Sequence, residues 1–335
     1  MPRAQDPTQS LLRWGIEHAE PGALAAAAEE MKAGKRPDLS TDMLKAIMGT
    51  SDADRMKECL MVIEGKWVDR DGNGEVRQSD QVTDEDKYRA WDDLEMLVED
   101  LDNANDLKSV GGWPIIVKHL TDSDDEVVMR ACWVCGTAVQ NNPRSLETFL
   151  TYDPLPILST LIASSSASSS TRAKAMYCLS STLKHCEPAV LRFSSLDGYS
   201  QLLLALHDPS QTIRTKTSFL LSQLVSQSAQ PLELSQELRQ AGVLKGVLDS
   251  LDRDLHQPTE STGENNKIDE DYRDKSLRFL VNVVERTEGK GLEKDEKDKL
   301  GKVVKELEEG GEWSAEEDLG MAKSEWDDFK RSFKQ

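Results

Sequence analysis

Residues 69–80, DRDGNGEVRQSD, set hard oxygen ligands at the spacing of a known cation loop. Asp69, Asp71, Asn73 and Asp80 fall on positions 1, 3, 5 and 12 of a calcium loop, with Gly74 at the sharp turn of position 6 and apolar Val76 at position 8. Helical patterns flank the stretch. Asp in place of Glu at position 12 weakens bidentate binding, and no second loop follows to pair with this one. The residues leave two readings open, a single weak calcium site and a polar inserted loop.

Other constellations carry less chemistry. Cys132-Trp-Val-Cys135 has the spacing of a redox pair but sits mid-helix with no preceding strand, so core packing is the expectation. His18, His119, His185, His207 and His256 are scattered without ligand-spaced partners. No Ser/His/Asp elbow and no phosphate-cradling glycine loop is present, so no enzyme and no cofactor are expected. Ser164–Ser170 is a serine tract in an inter-helix turn, readable as a loop or as a phosphorylation target.

A more regular signal comes from arginine. Arg172/Lys174/Ala175/Leu179, Arg214/Lys216/Thr217/Leu221 and Arg273/Lys275/Ser276/Leu280 repeat one signature, at spacings of 42 and 59 residues. The excess in the second spacing matches a polar insertion at 256–270. Arg130 and Arg89 continue the ladder upstream in looser form. A period near 42 lies in the armadillo/HEAT range. The segment 88–143 holds three amphipathic helical patterns in a row. Trp113–Leu120 ends in the acidic turn Asp122–Glu126, the longer helix Val127–Asn141 follows, and Pro143 stops it. Pro156–Ile162, the serine turn and Thr171–His185 repeat the plan. One such unit cannot hide its apolar face alone, and stacking hides it between neighbours. The expected fold is therefore an all-α, armadillo-like helical solenoid whose last helix in each unit lines the inner wall. Each arginine has an ordinary reading, a salt bridge within the repeat or a solvated face. A ladder of them on an acidic protein points instead to a partner-binding groove formed by Arg130, Arg172 and Arg214.

The stretches around this array are polar. The 335 residues carry 61 acidic against 41 basic side chains, a net charge of −20, so nucleic acid is not expected to bind through the bulk field. Residues 1–35 are expected to be a mobile segment, with a short helix capped by Ser10 (LLRWGIEHAE) broken at Pro21-Gly22. Residues 36–86 read as N-terminal helices carrying a polar insertion at 65–83, and 87–285 as the repeats. Residues 286–335 read as a capping helix, Leu292–Leu307, and an acidic tail. The tail's Trp313, Trp326, Phe329 and Phe333 read as a frayed end, with a weakly docked or recognition segment as the alternative. No run approaches 18 apolar residues, the N-terminus lacks a signal-peptide core, and the five cysteines have no disulfide-framework spacing. A monomer in the cytoplasm, away from membranes, is the expectation.

At LEMLVEDLDNAND (Leu94–Asp106), GTAVQNNP (Gly136–Pro143) and SLLRWGIEHAE (Ser10–Glu20) the chain resembles the armadillo-type nucleotide exchange factors of the 70-kDa heat-shock chaperone, in particular the fungal Fes family. The resemblance runs over about residues 9–290. It implies four armadillo-like repeats and a non-enzymatic co-chaperone. By the same resemblance, such a protein grips one lobe of the chaperone's ATPase domain, opens the nucleotide cleft and speeds ADP release, while its N-terminal segment frees the client. It also implies that Asp102, Asn103, Ala104 and Asn105 lie at the groove's edge and that Arg214 lies on its concave face. A peptide-gripping armadillo adaptor is the alternative, although only Trp133 fits the tryptophan ladder such grooves use.

Overall fold

The structure, a computed structural model, describes residues 51–68, 76–78, 82–256, 270–311 and 313–334. Expectations for residues 1–50, for Asp69, Asp71, Asn73 and Asp80, and for the interior of the 256–270 insertion fall outside them.

Helix α1 (Asp52–Ile63) starts at Ser51, whose side chain accepts from the Asp54 N–H, and buries Met56, Leu60 and Ile63. Strands β1 (Lys66–Val68) and β2 (Val76–Gln78) then pair antiparallel, with Lys66 opposite Gln78 and Val68 opposite Val76. The ladder borders the stretch read as a calcium loop, whose ligand positions lie outside the described residues. Helix α2 (Asp84–Val98) opens with a reciprocal capping box between Thr83 and Asp86.

Four units of three helices follow. The first holds α3 (Leu101–Asp106), α4 (Gly112–Lys118) and α5 (Asp125–Val139). The second holds α6 (Pro143–Leu150), α7 (Leu155–Leu161) and α8 (Ser169–Leu183), and the third α9 (Glu187–Ser195), α10 (Gly198–Leu206) and α11 (Gln211–Gln227). The fourth holds α12 (Pro231–Gln240), α13 (Val243–His256) and α14 (Glu270–Thr287). α5 ends at Val139, where Gln140 turns extended and Asn141 takes φ +52°, ahead of the expected stop at Pro143, which instead begins α6 at the first helical position, where a missing N–H costs nothing. Each unit thus has a short first helix that the two-helix reading of the sequence did not separate.

The joint between first and second helices has a regular backbone. Gly111, Asp153, Asp197 and Gly242 occupy it in successive units, at φ +73°, +45°, +56° and +80°. The left-handed turn reverses the chain within one residue, which favours Gly or an Asp able to bond its own backbone.

The third helices α2, α5, α8, α11 and α14 stack side by side as one wall. Their buried faces share a continuous core that includes Trp91, Cys132, Cys135, Met176, Cys178, Leu221 and Phe279. Cys132 and Cys135 are fully buried and free, and burial pushes both thiols well above their ordinary value, as core packing predicts.

At the far end, α15 (Lys294–Gly310), α16 (Ala315–Asp318) and α17 (Lys323–Lys334) cover the fourth unit. The frayed-end expectation is corrected here. Trp313, Trp326, Phe329 and Phe333 are buried and form a run of ring contacts with centroids 4.9–5.1 Å apart. Trp326 Nε1–H donates to Glu308 at 2.8 Å, and Trp313 Nε1–H to Asp274 at 3.3 Å.

Candidate functional site

The wall is held in register by side chains that reach from one third helix to the next. Thr137 Oγ1 on α5 donates to Glu95 Oε1 on α2 at 2.7 Å and lies 3.4 Å from the Tyr177 hydroxyl on α8, which in turn donates to Gln140 at 3.1 Å. Lys174 Nζ on α8 sits 3.3 Å above the Trp133 ring on α5. Burial lowers the Lys174 pKa, and Glu95 opposes that shift. Burial also raises the Glu95 carboxyl, against the hydrogen bond from Thr137. Further along, Lys275 of α14 lies 5.9 Å from the ring of Phe219 on α11, which is 46% exposed. The wall therefore presents a strip of half-buried aromatic and charged groups, already oriented by their neighbours.

The arginines of the ladder occupy the edge of this wall, in the first turns of the third helices. Arg172 is 8% exposed; its Nε and Nη2 donate to Asp208 at 2.6 and 3.0 Å, and its Nη1 to the Ala167 carbonyl at 2.5 Å. It clamps the second unit to the turn of the third rather than facing a groove. Arg130 pairs with Asp92 at 3.0 Å and Glu126 at 2.5 Å and lies 4.6 Å from the Tyr88 ring. Arg214 donates to the Asp208 and Pro209 carbonyls at 2.8 and 3.0 Å, with its guanidinium 5.6 Å from the Tyr272 ring. Arg273 is buried beside Asp274 at 3.0 Å, and Arg89 is exposed with Glu85 at 3.3 Å. The five share a position in sequence but not a common exposure, because each unit's turn offers its arginine a different acceptor.

The Asp102–Asn105 phrase is similarly a joint. Asp100 caps α3 by accepting from the Asp102 and Asn103 N–H groups at 2.8 and 3.2 Å. Asn103 Nδ2 donates to the Leu97 carbonyl at 2.9 Å and to Asp52 at 3.3 Å, which ties α3 to α1 and α2. Ala104 is 1% exposed, and its carbonyl accepts from Ser145 of the next unit at 3.4 Å. Its methyl group fills core and offers a partner nothing. Asp102 is exposed and Asn105 half-buried.

Reading the sequence for arginines missed the wall residues themselves. Trp133 and Thr137 lie three and seven positions after Arg130, one and two helical turns further on, and Glu95, Thr137 and Tyr177 recur at 42 and 40 residues. That register was the available signal. Among the described residues no cluster suited to a metal ion occurs, and no helix is long and apolar enough to cross a membrane.

Stacked three-helix units with a continuous wall of third helices define an armadillo repeat protein. The chain is similar to a designed armadillo repeat protein in complex with the peptide (KR)4, at TM-score 0.58 and 16% identity over 83% of this chain and 99% of that one. It is also similar to the armadillo-repeats-only protein of Plasmodium falciparum, at 0.50 and 14% over 73% and 98%. These identities speak for the fold alone. Residues 8–107 match the family described as "Nucleotide exchange factor Fes1", and residues 103–245 match the "SIL1/FES1/HPBP1 C-terminal domain". A protein named Hsp70 nucleotide exchange factor FES1 from Candida glabrata is 34% identical over 249 residues, 73% of this chain and 79% of the relative. Its namesake in Mycosarcoma maydis is 36% identical over 67% of this chain. The chain belongs to the Fes1 family. It spans only 56% of the length of the Mycosarcoma relative and 52% of the one from Cryptococcus neoformans.

Proposed function

We propose that this protein is a nucleotide exchange factor of the 70-kDa heat-shock chaperone, acting by conformational linkage and without a catalytic step of its own. The wall of third helices grips one lobe of the chaperone's ATPase domain, the nucleotide cleft opens, and ADP leaves. The observation that carries this reading is the similarity to the Candida glabrata exchange factor along 79% of that protein's length. The wall supports it, because side chains pinned by neighbouring repeats bind with little further loss of conformational freedom. Its exposed Phe219 and the half-buried Lys174–Trp133 pair form the contact surface, with Asp102 at one edge and Arg130 and Arg214 acting through the turns they fix.

The physics required is linkage. A protein that weakens ADP binding must itself bind the ADP-free state more tightly, by the same factor. Moving the cleft from mostly closed to mostly open takes about 5.5 kcal/mol of differential affinity.

The test loads the chaperone's ATPase domain with fluorescent ADP and follows its release. The full chain accelerates release, and Phe219→Asp reduces the acceleration about tenfold or more while leaving the helical circular dichroism intact. Release unchanged by the full chain would remove the proposal.

A further inference from the structure

A groove of about 400 Å³ opens on the side of the first helices, between α9 of the third unit and α12 of the fourth. The seams on either side of it are tied by arginine. Arg192 of α9 reaches back to Asp153 at 2.9 and 3.2 Å, and Arg239 of α12 reaches forward to Glu296 at 2.9 Å and to the Gly291 carbonyl at 2.5 Å. Between α9 and α12 the described contact is a single hydrogen bond, from Ser194 Oγ to Glu237 Oε2 at 3.0 Å. The carboxylate has no arginine opposite it, and the space stays open.

The floor is apolar. Val190, Leu191, Leu224 and Leu234 line it, and Leu191 is 64% exposed. The rim is acidic. Glu187, Glu233 and Glu237 line the groove and are exposed, while no lysine or arginine is among its lining residues. An apolar floor binds aliphatic side chains by removing them from water, at roughly 25 cal/mol per Å² buried. Three carboxylates around it favour cations and repel an acidic ligand. A groove with both features fits aliphatic residues flanked by Lys or Arg.

We propose that this groove is a docking site for a cationic, leucine-bearing peptide segment of a partner protein, with Leu side chains on the floor and Lys or Arg groups on the rim carboxylates. It is built mainly on the first helices and their entry turns, with Leu224 and Gln227 supplied by the end of α11, and it includes none of Phe219, Trp133 and Lys174, so it is independent of the exchange reading.

The probe is a fluorescein-labelled peptide of alternating Leu and Arg, titrated against the full chain by anisotropy. A Gly/Arg peptide of equal charge and a Leu/Glu peptide of equal apolarity serve as controls. The Leu/Arg peptide binds with one-to-one stoichiometry, and both controls bind at least tenfold more weakly. Glu233→Lys with Glu237→Lys weakens binding about tenfold at low salt, less so at high salt. Leu191→Asp weakens it as well, and Phe219→Asp on the wall leaves it unchanged. Three results overturn the proposal. One is no binding of the Leu/Arg peptide. The others are tighter binding to Leu191→Asp and equal binding of the Gly/Arg peptide, either of which marks bulk attraction to an acidic protein. Circular dichroism of each variant separates misfolding from loss of the site.

Discussion

Arg172 and Asp208 show what one residue pair contributes to this fold. Both are less than a tenth exposed, and the guanidinium bonds the carboxylate through two nitrogens. Removing one partner strands the other's charge away from water, which costs about 3–5 kcal/mol. Arg172→Ala is therefore expected to lower the unfolding free energy from urea titration by that much, and Arg89→Ala, an exposed counterpart, by less than about 1 kcal/mol. Glu95 leads to a pH-dependent expectation. Burial raises its carboxyl from the ordinary 4.5, so the charged form is disfavoured in the folded state. The penalty is absent below pH about 4.5 and complete once the pH has passed the raised folded value. Glu95→Gln keeps an acceptor for Thr137 and is expected to stabilise the protein at pH 7. The gain should fade as the pH falls towards 4.5, as denaturation across that range would record. The periodic arginines were visible in the sequence, but their roles were not. Whether Arg172 faces a groove or a neighbour depends on Asp208, 36 residues away, and no spacing within one unit reveals which acceptor the next turn supplies.

At the scale of elements, long third helices were easy to read because their apolar positions recur over four or more turns. The first helices were not, since α3 has only six residues and α6 eight, too few for a period to emerge from the noise. Their joints did leave a mark, a Gly or Asp every 42–45 residues at positions 111, 153, 197 and 242. The C-terminal helix was misjudged for a different reason. Its acidic composition suggested a solvated end, whereas Trp326, Phe329 and Phe333 on one face of α17, packed with Trp313 from the turn before α16, decided the outcome by burial. Trp326→Ala removes the ring that contacts both Trp313 and Phe329 and the indole N–H that donates to Glu308, which Lys330 still pairs. A loss of about 3–5 kcal/mol is expected, with α17 exchanging its amide hydrogens faster than α5 in hydrogen-exchange measurements. A close approach lies at Gly136 on α5, where an added Cβ would stand 2.6 Å from the Tyr177 ring and 3.1 Å from the Cys178 Cα. Gly136→Ala is expected to cost about 1–3 kcal/mol despite its better helix propensity, as a thermal midpoint would show, because α5 and α8 must separate.

For the molecule as a whole, stacking turns short helices into one stiff wall. Each unit is bonded to the next through several side chains, so a load applied at one unit is shared along the stack. That stiffness suits a protein that works by holding a partner in one conformation, since a pliant wall would follow the partner instead. The net charge of −20 adds a further expectation: association with a basic surface slows as salt rises. Exchange by linkage requires preference for one state of the partner, and this preference is directly measurable. The affinity of the full chain for the chaperone's ATPase domain is compared with ADP saturating and with nucleotide removed. Binding to the nucleotide-free domain is expected to be much tighter, by the same factor by which the chain weakens ADP binding. Equal affinity for the two states would contradict it.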